Sequence, residues 1–258
     1  MAANAILTIA FRDLVKLLKD RTRLLSSFIF PFVLIALLGG MLQAGFGDRI
    51  GINLVAFTFT GVYIQTLFQS SALGVISLLE DRENDFTQEL FVSPVSRYSI
   101  VFGKVLGESL VAMVQGIGIV VFGLVVGVHL GVTQIAGLVV VGLASCLVGG
   151  AFGIVILANL SSQRVANQLF PFVFLPQFFL AGVFAPIQGL PIYLEILSRA
   201  SPLRYPVDLL RGMFYSGQPE YSGVVVDSVA LNLVVMAGMF VVFLVAGTWL
   251  FVRNERNR

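Results

Sequence analysis

Charge is scarce in this sequence. Asp, Glu, Lys and Arg together make up 12% of its 258 residues, about half the ~25% of an ordinary soluble domain. So few charges cannot cover the surface of a compact soluble fold, which excludes a soluble globular protein. Disorder is excluded for the opposite reason, because 57% of the residues are apolar. Cysteine occurs once, at Cys146, so an intrachain disulfide framework and a cysteine metal site are excluded. Histidine occurs once, at His129, which excludes a His-rich metal site and the HExxH zinc motif. The net charge of +2 lacks the concentrated basic stripe that nucleic acid demands. A phosphate-binding P-loop is missing too. The Gly103-Lys104 pair lacks the upstream glycine at the required spacing and is followed by Val105. The nucleophile elbow G-x-S-x-G is absent, and a serine–histidine pair would have to use His129, which reads as a polar loop residue.

What is abundant is long apolar sequence. Mean hydropathy is +0.95, and six stretches reach the ~20 residues needed to cross a bilayer as helices. They are residues 24–43, 52–79, 105–127, 135–160, 165–184 and 228–252. Each is continuously apolar rather than alternating, which favours helices over barrel strands. The stretch at 24–43 lies too far from the N-terminus, and is too long, for a cleaved signal, so it is expected to be retained. With six spans both termini share one side. That side carries Arg12, Lys16, Lys19, Arg21, Arg23, Arg82, Arg97, Lys104, Arg164, Arg253, Arg256 and Arg258. The other carries Arg49, Arg199, Arg204 and Arg211. Basic residues concentrate on the cytoplasmic side of membrane proteins, so both termini are expected in the cytoplasm. The fold class expected is an all-α integral membrane protein forming one transmembrane domain over residues 1–258.

Three segments outside the spans are distinctive. Residues 5–23 read as an amphipathic interfacial helix within an N-terminal elbow, residues 1–23. Leu7, Phe11, Leu14 and Leu18 share one face, and Arg12, Lys16, Lys19 and Arg23 share another about 140° away. This helix serves as a membrane anchor, or as an anchor that also touches a cytoplasmic partner. The loop at 80–97 is rich in acids, which suit a helix N-terminus. It carries an apolar cluster, Phe86, Leu90 and Phe91, before Pro94 stops the helix. A helix this short cannot bury that cluster alone, so it must press on lipid or on another protein. Prolines crowd the third segment. Pro171 and Pro176 fall inside the fifth stretch, and Pro186, Pro191, Pro202 and Pro206 punctuate residues 185–227. The short apolar runs 192–197 and 207–214 read as helices that dip into the outer leaflet without crossing it.

Polar groups inside the spans are candidates for function. Gln65, Gln69 and Gln177 either bond between helices or line a path with uncharged handles, while Gln115, Asn159, Asn167 and Gln168 read as helix–helix hydrogen bonding. Glu108 follows Lys104 by four residues and reads as an interfacial ion pair. No carboxylate lies in mid-span, which argues against a proton- or sodium-coupled carrier. The glycines of the third and fourth stretches, including Gly149, Gly150 and Gly153, read first as helix-contact residues.

Two runs in this order resemble one family. The first is Asp81-Arg82-Glu83, Phe86, Glu89-Leu90, Ser93-Pro94-Val95-Ser96-Arg97 and Gly103-Lys104. The second is Phe179-Leu180-Ala181-Gly182-Val183-Phe184-Ala185-Pro186 with Leu190-Pro191, then Ser201-Pro202-Leu203, Tyr205, Asp208 and Arg211. Together they resemble the type-2 ABC export permeases, nearest the branch of nodulation and daunorubicin-type drug-resistance permeases. Asp85 stands where members often carry glycine. The resemblance implies a membrane subunit of the bacterial inner membrane that pairs with a second copy of itself. A separate ATPase would hold ATP and magnesium, and this chain would bind no cofactor. Residues 80–91 would form the coupling helix, touching the ATPase through Arg82, Glu83, Phe86, Glu89, Leu90 and Phe91. Spans two and five would line the path, bringing in Gln65, Gln69 and Gln177. Residues 185–226 would form external re-entrant helices, with Pro186, Pro191, Pro202, Asp208 and Arg211 in an outer lid. The cargo would be amphiphilic or hydrophobic: a drug, lipid or glycolipid. The competing expectation is a six-span carrier or channel with no ATPase.

Overall fold

A computed structural model of the chain describes residues 2–79, 97–160 and 162–256. Among these residues every regular element is helical. In order they are α1 (Ala2–Lys19), α2 (Arg21–Val33), a π-helical stretch (Leu34–Gly39), α3 (Gly40–Ile50), α4 (Leu54–Gly74), α5 (Arg97–Val125), α6 (Val132–Leu157), α7 (Gln163–Leu180), α8 (Ile192–Ala200), α9 (Arg204–Phe214), α10 (Tyr221–Val224) and α11 (Val229–Arg256).

Five helical stretches are long and apolar enough to cross a membrane: Leu24–Gly47, Leu54–Leu79, Tyr98–Val125, Val132–Leu157 and Tyr221–Asn254. The remaining stretch expected to span, residues 165–184, falls on α7, which is not among these five. It has 18 residues, about 27 Å of helix against about 30 Å of hydrocarbon. Its first turns hold Gln163, Arg164, Asn167 and Gln168, which dilute its apolar character. It ends at Gly182, whose φ of 69° lets the Val183 N–H reach back to the Phe178 carbonyl at 3.0 Å. That is the left-handed helix stop that glycine permits.

The bundle is built around α4. Phe57, Phe59, Ile64, Leu67 and Phe68 on this helix are fully buried, and it packs against α5, α6 and α9. Helices α4 and α6 touch backbone to backbone. A Cβ added to Gly149 would lie 2.3 Å from the Phe68 carbonyl oxygen, and one on Gly153 would lie 2.6 Å from that of Ala72. Glycines four residues apart thus let two helices meet without a side chain between them. Gly149→Leu is expected to lower the midpoint of thermal unfolding in detergent by the equivalent of about 1–3 kcal/mol or more. Gly238→Ala, at an exposed site with nothing within 4 Å of the added Cβ, should leave the midpoint unchanged. Equal midpoints for the two variants would contradict the close α4–α6 contact.

Both chain termini lie at one end of the bundle. Asp13 of α1 meets Lys104 near the start of α5, Gly150 of α6 faces Val105, and the Asn254 amide of α11 donates to the Ala158 carbonyl just beyond α6 at 2.8 Å. Around the bundle runs a broad exposed apolar band. Leu25, Ile29, Val33, Leu37 and Met41 supply one part, and Val234, Val241, Val242, Val245 and Trp249 supply another. A surface of this kind exceeds the apolar patches that soluble monomers tolerate and suits a lipid solvent.

The N-terminal helix presents two different faces. Ala10, Asp13 and Leu17 are buried against α5. Leu7 and Phe11, each 67% exposed, point about 90° away at 100° per residue. Leu7 and Phe11 therefore face away from the protein, as an interfacial anchor requires, and the face that carries Asp13 holds the helix to α5.

Candidate functional site

At the end of the bundle that carries the termini, three charged side chains from two helices share one buried site. The Lys104 ammonium lies 2.6 Å from an Asp13 oxygen and 2.9 Å from a Glu108 oxygen. These side chains are 3%, 4% and 6% exposed. Arg12 adds a second cation, 3.2 Å from Asp13. Glycines make room for it. A Cβ on Gly107 would lie 3.0 Å from the Ala10 backbone and 3.1 Å from the Asp13 carboxylate, and one on Gly74 would overlap the Glu108 carboxylate. Ser77 Oγ stands 3.5 Å from Glu108. The cluster is therefore rooted between the last residues before position 80 and the first turns after position 96.

A second site lies beside it, between α2, α4 and α5. It is a pocket of about 230 Å³ lined by Ser27, Phe30, Pro31, Gln65, Thr66, Gln69, Ser70, Leu73, Gly74 and Gln115. The Gln65 amide donates to Gln69 Oε1 at 3.0 Å. Gln65 is 1% exposed, and its own carbonyl oxygen has no hydrogen-bond partner among the described residues. Pro31 has no N–H to offer the Ser27 carbonyl one turn earlier, and the π-helical stretch follows directly. The pocket thus presents amides and hydroxyls, with no charged side chain in its lining among the described residues.

The opposite end is pinned by a third network. Nearly all of α9 is buried. Arg204 pairs with Asp227 at 2.9 Å and donates to Ser198 Oγ at 3.1 Å. Asp208 accepts from the backbone N–H groups of Val226 and Asp227 and from the Asn232 amide, each at 2.8 Å. The Arg211 guanidinium sits 3.6 Å above the Phe57 ring and reaches the carbonyls of Phe57 and Val183 at 3.4 Å. Gly61 permits this, because a Cβ there would lie 2.5 Å from the Val183 carbonyl oxygen. On exposed α8, hydrogen bonding and charge from Glu195 raise the Arg199 pKa further above its usual value.

Comparison with known proteins decides the family. Residues 4–215 match the family described as ABC-2 type transporter, which is most of the chain. The chain belongs to the ABC-2 type transporter family. It is 27% identical over 207 residues to a protein of Cyanophora paradoxa named as the transport permease ycf38, covering 79% of this chain and 71% of that one. The ycf38 protein of Pyropia yezoensis is 26% identical over 204 residues, covering 75% and 68%. A protein of Escherichia coli K12 named as the multidrug ABC transporter permease YbhR is 29% identical over 148 residues, covering 54% of this chain but 38% of its own length. Members of the family are membrane permease subunits of ABC transporters, and they work with an ATPase rather than as enzymes themselves.

In this ABC-2 permease the residues named from sequence fall in different places. Gln65 and Gln69 meet in the amide pocket, and Gln115, read only as a helix–helix contact, lines it with them. Gln177 lies apart on α7, where its amide donates to the Val173 carbonyl at 3.2 Å. Asp208 and Arg211 are buried, Pro202 is buried, Pro186 is half-buried, and Pro191 is exposed just before α8. Arg82, Glu83, Phe86, Glu89, Leu90 and Phe91 lie outside the described residues. The ion pair between Lys104 and Glu108 is present. Asp13, which completes it, was not legible: its partner is 91 positions away, and only the departure of one acid from a basic helix marks it.

Proposed function

We propose that this chain is the membrane half of an ATP-driven exporter of the bacterial inner membrane, working as a homodimer with a separate ATPase. The match of residues 4–215 to the ABC-2 type transporter family carries this reading. In it α7 is the fifth of six spans, α1 is an interfacial elbow, α8 and α9 form the external re-entrant lid, and both termini are cytoplasmic. The cargo is amphiphilic or hydrophobic, and ATP and magnesium stay on the ATPase. The name of the YbhR relative, a multidrug permease, supports a place near the drug-resistance branch.

The coupling helix in this reading is residues 80–91. The buried Asp13–Lys104–Glu108 cluster supports it, because that cluster is rooted beside both ends of the segment. A push on residues 80–91 by the ATPase would reach α1 and α5 together through ion pairs that cannot stretch cheaply, and α4 through the close approach of Gly74 to Glu108. Coupling then requires two arrangements of these helices with different affinity for the two ATPase states.

Phe86→Asp tests the proposal. The variant should still reach the membrane, while ATP hydrolysis stimulated by cargo falls by more than tenfold in the reconstituted complex. Full ATP-driven efflux in that variant would defeat the coupling role, and transport by the purified chain without any ATPase would favour the self-sufficient carrier.

A further inference from the structure

The amide pocket has a chemistry that the export reading leaves unassigned. We infer that it is a headgroup niche within a single subunit, taking the uncharged polyhydroxylated head of a lipid whose tails lie on α2. The inference rests on the export reading for its biological use, and names the class of cargo that this pocket admits first.

Size comes first. At about 230 Å³ the pocket is smaller than the roughly 300–1,000 Å³ of sites that enclose a drug-sized ligand. It can hold a head and not a whole amphiphile. Its mouth is flanked by Phe30, 53% exposed, beside the exposed Ile29 and Val33 on the same helix. An occupant therefore has somewhere apolar to leave its tails.

Charge comes second. Among the described residues, the lining carries no cation and no anion. Glu108, on the far side of Gly74, is already paired with Lys104. A phosphate head would be desolvated here without a counter-charge, which is costly in a low-dielectric site. A neutral head avoids that penalty.

Hydrogen bonding comes third. Gln65, Gln69 and Gln115 each bring an acceptor oxygen and an NH₂ donor, and Ser27, Thr66 and Ser70 bring hydroxyls. The unpartnered Gln65 oxygen, in a residue almost wholly buried, is a standing demand for a donor. A ring bearing several hydroxyls supplies donors and acceptors side by side and matches such a lining. Depth agrees with a lipid source: the pocket reaches Gly74, one residue from the ion cluster at the terminus-bearing end, while its mouth opens among apolar residues of α2.

The test uses the full chain, without ATPase, in nanodiscs of phosphatidylcholine containing equal amounts of monoglucosyl-diacylglycerol and phosphatidylglycerol. Lipid retained by the protein is counted by native mass spectrometry. The glucosyl lipid should be retained about tenfold over phosphatidylglycerol, the ratio that two buried neutral hydrogen bonds support. The Gln65→Leu/Gln69→Leu double variant should bring that ratio near unity. Ser70→Leu, which fills the niche and leaves the amides in place, should do the same. No preference in the parent protein, or an undiminished preference in both variants, overturns the niche. Competition by free glucose at the same concentration as the glucosyl lipid overturns the lipid source. The outcomes separate from those of the coupling test: loss of the niche leaves the Phe86→Asp result intact, and an inert Phe86→Asp leaves the lipid preference intact.

Discussion

Lys104→Met is expected to destabilise the protein by about 3–5 kcal/mol, read as a large fall in the midpoint of unfolding in detergent or in a denaturant titration. Methionine keeps most of the volume of the lysine stem, so little apolar contact is lost. What is lost is the one cation that bonds both Asp13, at 2.6 Å, and Glu108, at 2.9 Å. Two carboxylates then face each other in a site from which water is largely excluded, with Arg12 against Asp13 at 3.2 Å. The penalty is that of stranded charge rather than the net worth of the pair. A Lys104→Met/Asp13→Asn/Glu108→Gln triple variant should therefore recover most of the stability. A contrasting case is Arg199→Ala, which breaks the Glu195 pair on α8 with side chains 63% and 37% exposed. It should leave the unfolding midpoint nearly unchanged, because solvent already screens it. If Lys104→Met unfolds with the parent protein, the three groups do not form a buried ionic unit.

The same residues show what a sequence discloses and what it withholds. Lys104 and Glu108 are four apart on one helix, so periodicity alone pairs them. Asp13 belongs to a different helix, and nothing local reports that α1 turns its Ala10–Asp13–Leu17 face to the protein. Leu7 and Phe11 are exposed instead, because on a membrane protein the most hydrophobic face has two possible solvents. The glutamines repeat the lesson. Gln65 and Gln69 are one turn apart and visibly related, whereas Gln115 joins them only because α5 crosses α4 at that level. Spans were legible where composition is uniform, as in α6 and α11. They were least distinct in α7, where Pro171, Pro176 and a polar first turn mix the signal. Gly149 and Gly153 were legible as contact residues, since small residues four apart on an apolar helix have few other uses in lipid. The segment 80–96 offered the clearest functional motif, and its residues lie outside the described ones.

Asp208→Ala is the second large effect expected, about 3–5 kcal/mol. The carboxylate accepts three hydrogen bonds, two of them from consecutive backbone N–H groups at Val226 and Asp227 and one from Asn232, all at 2.8 Å. Each is charge-assisted and worth roughly 1.5–3 kcal/mol in isolation, although three bonds to one group do not add in full. Alanine leaves the two backbone donors and the Asn232 amide facing a void. The chain between α10 and α11 would lose its hold on α9, and Asp227 would lose the position from which it meets Arg204 at 2.9 Å. Asp208→Asn separates geometry from charge. It keeps one acceptor oxygen and turns a donor toward another donor, so it should fall between the parent and alanine. Protease cleavage near residues 225–228, followed in membrane vesicles, gives the local readout: cleavage should rise steeply in Asp208→Ala and modestly in Asp208→Asn. Equal protection in all three would mean that α9 is held by its apolar contacts with α6 and α11 alone, and that the buried acid at its centre is not what fixes the start of the last helix.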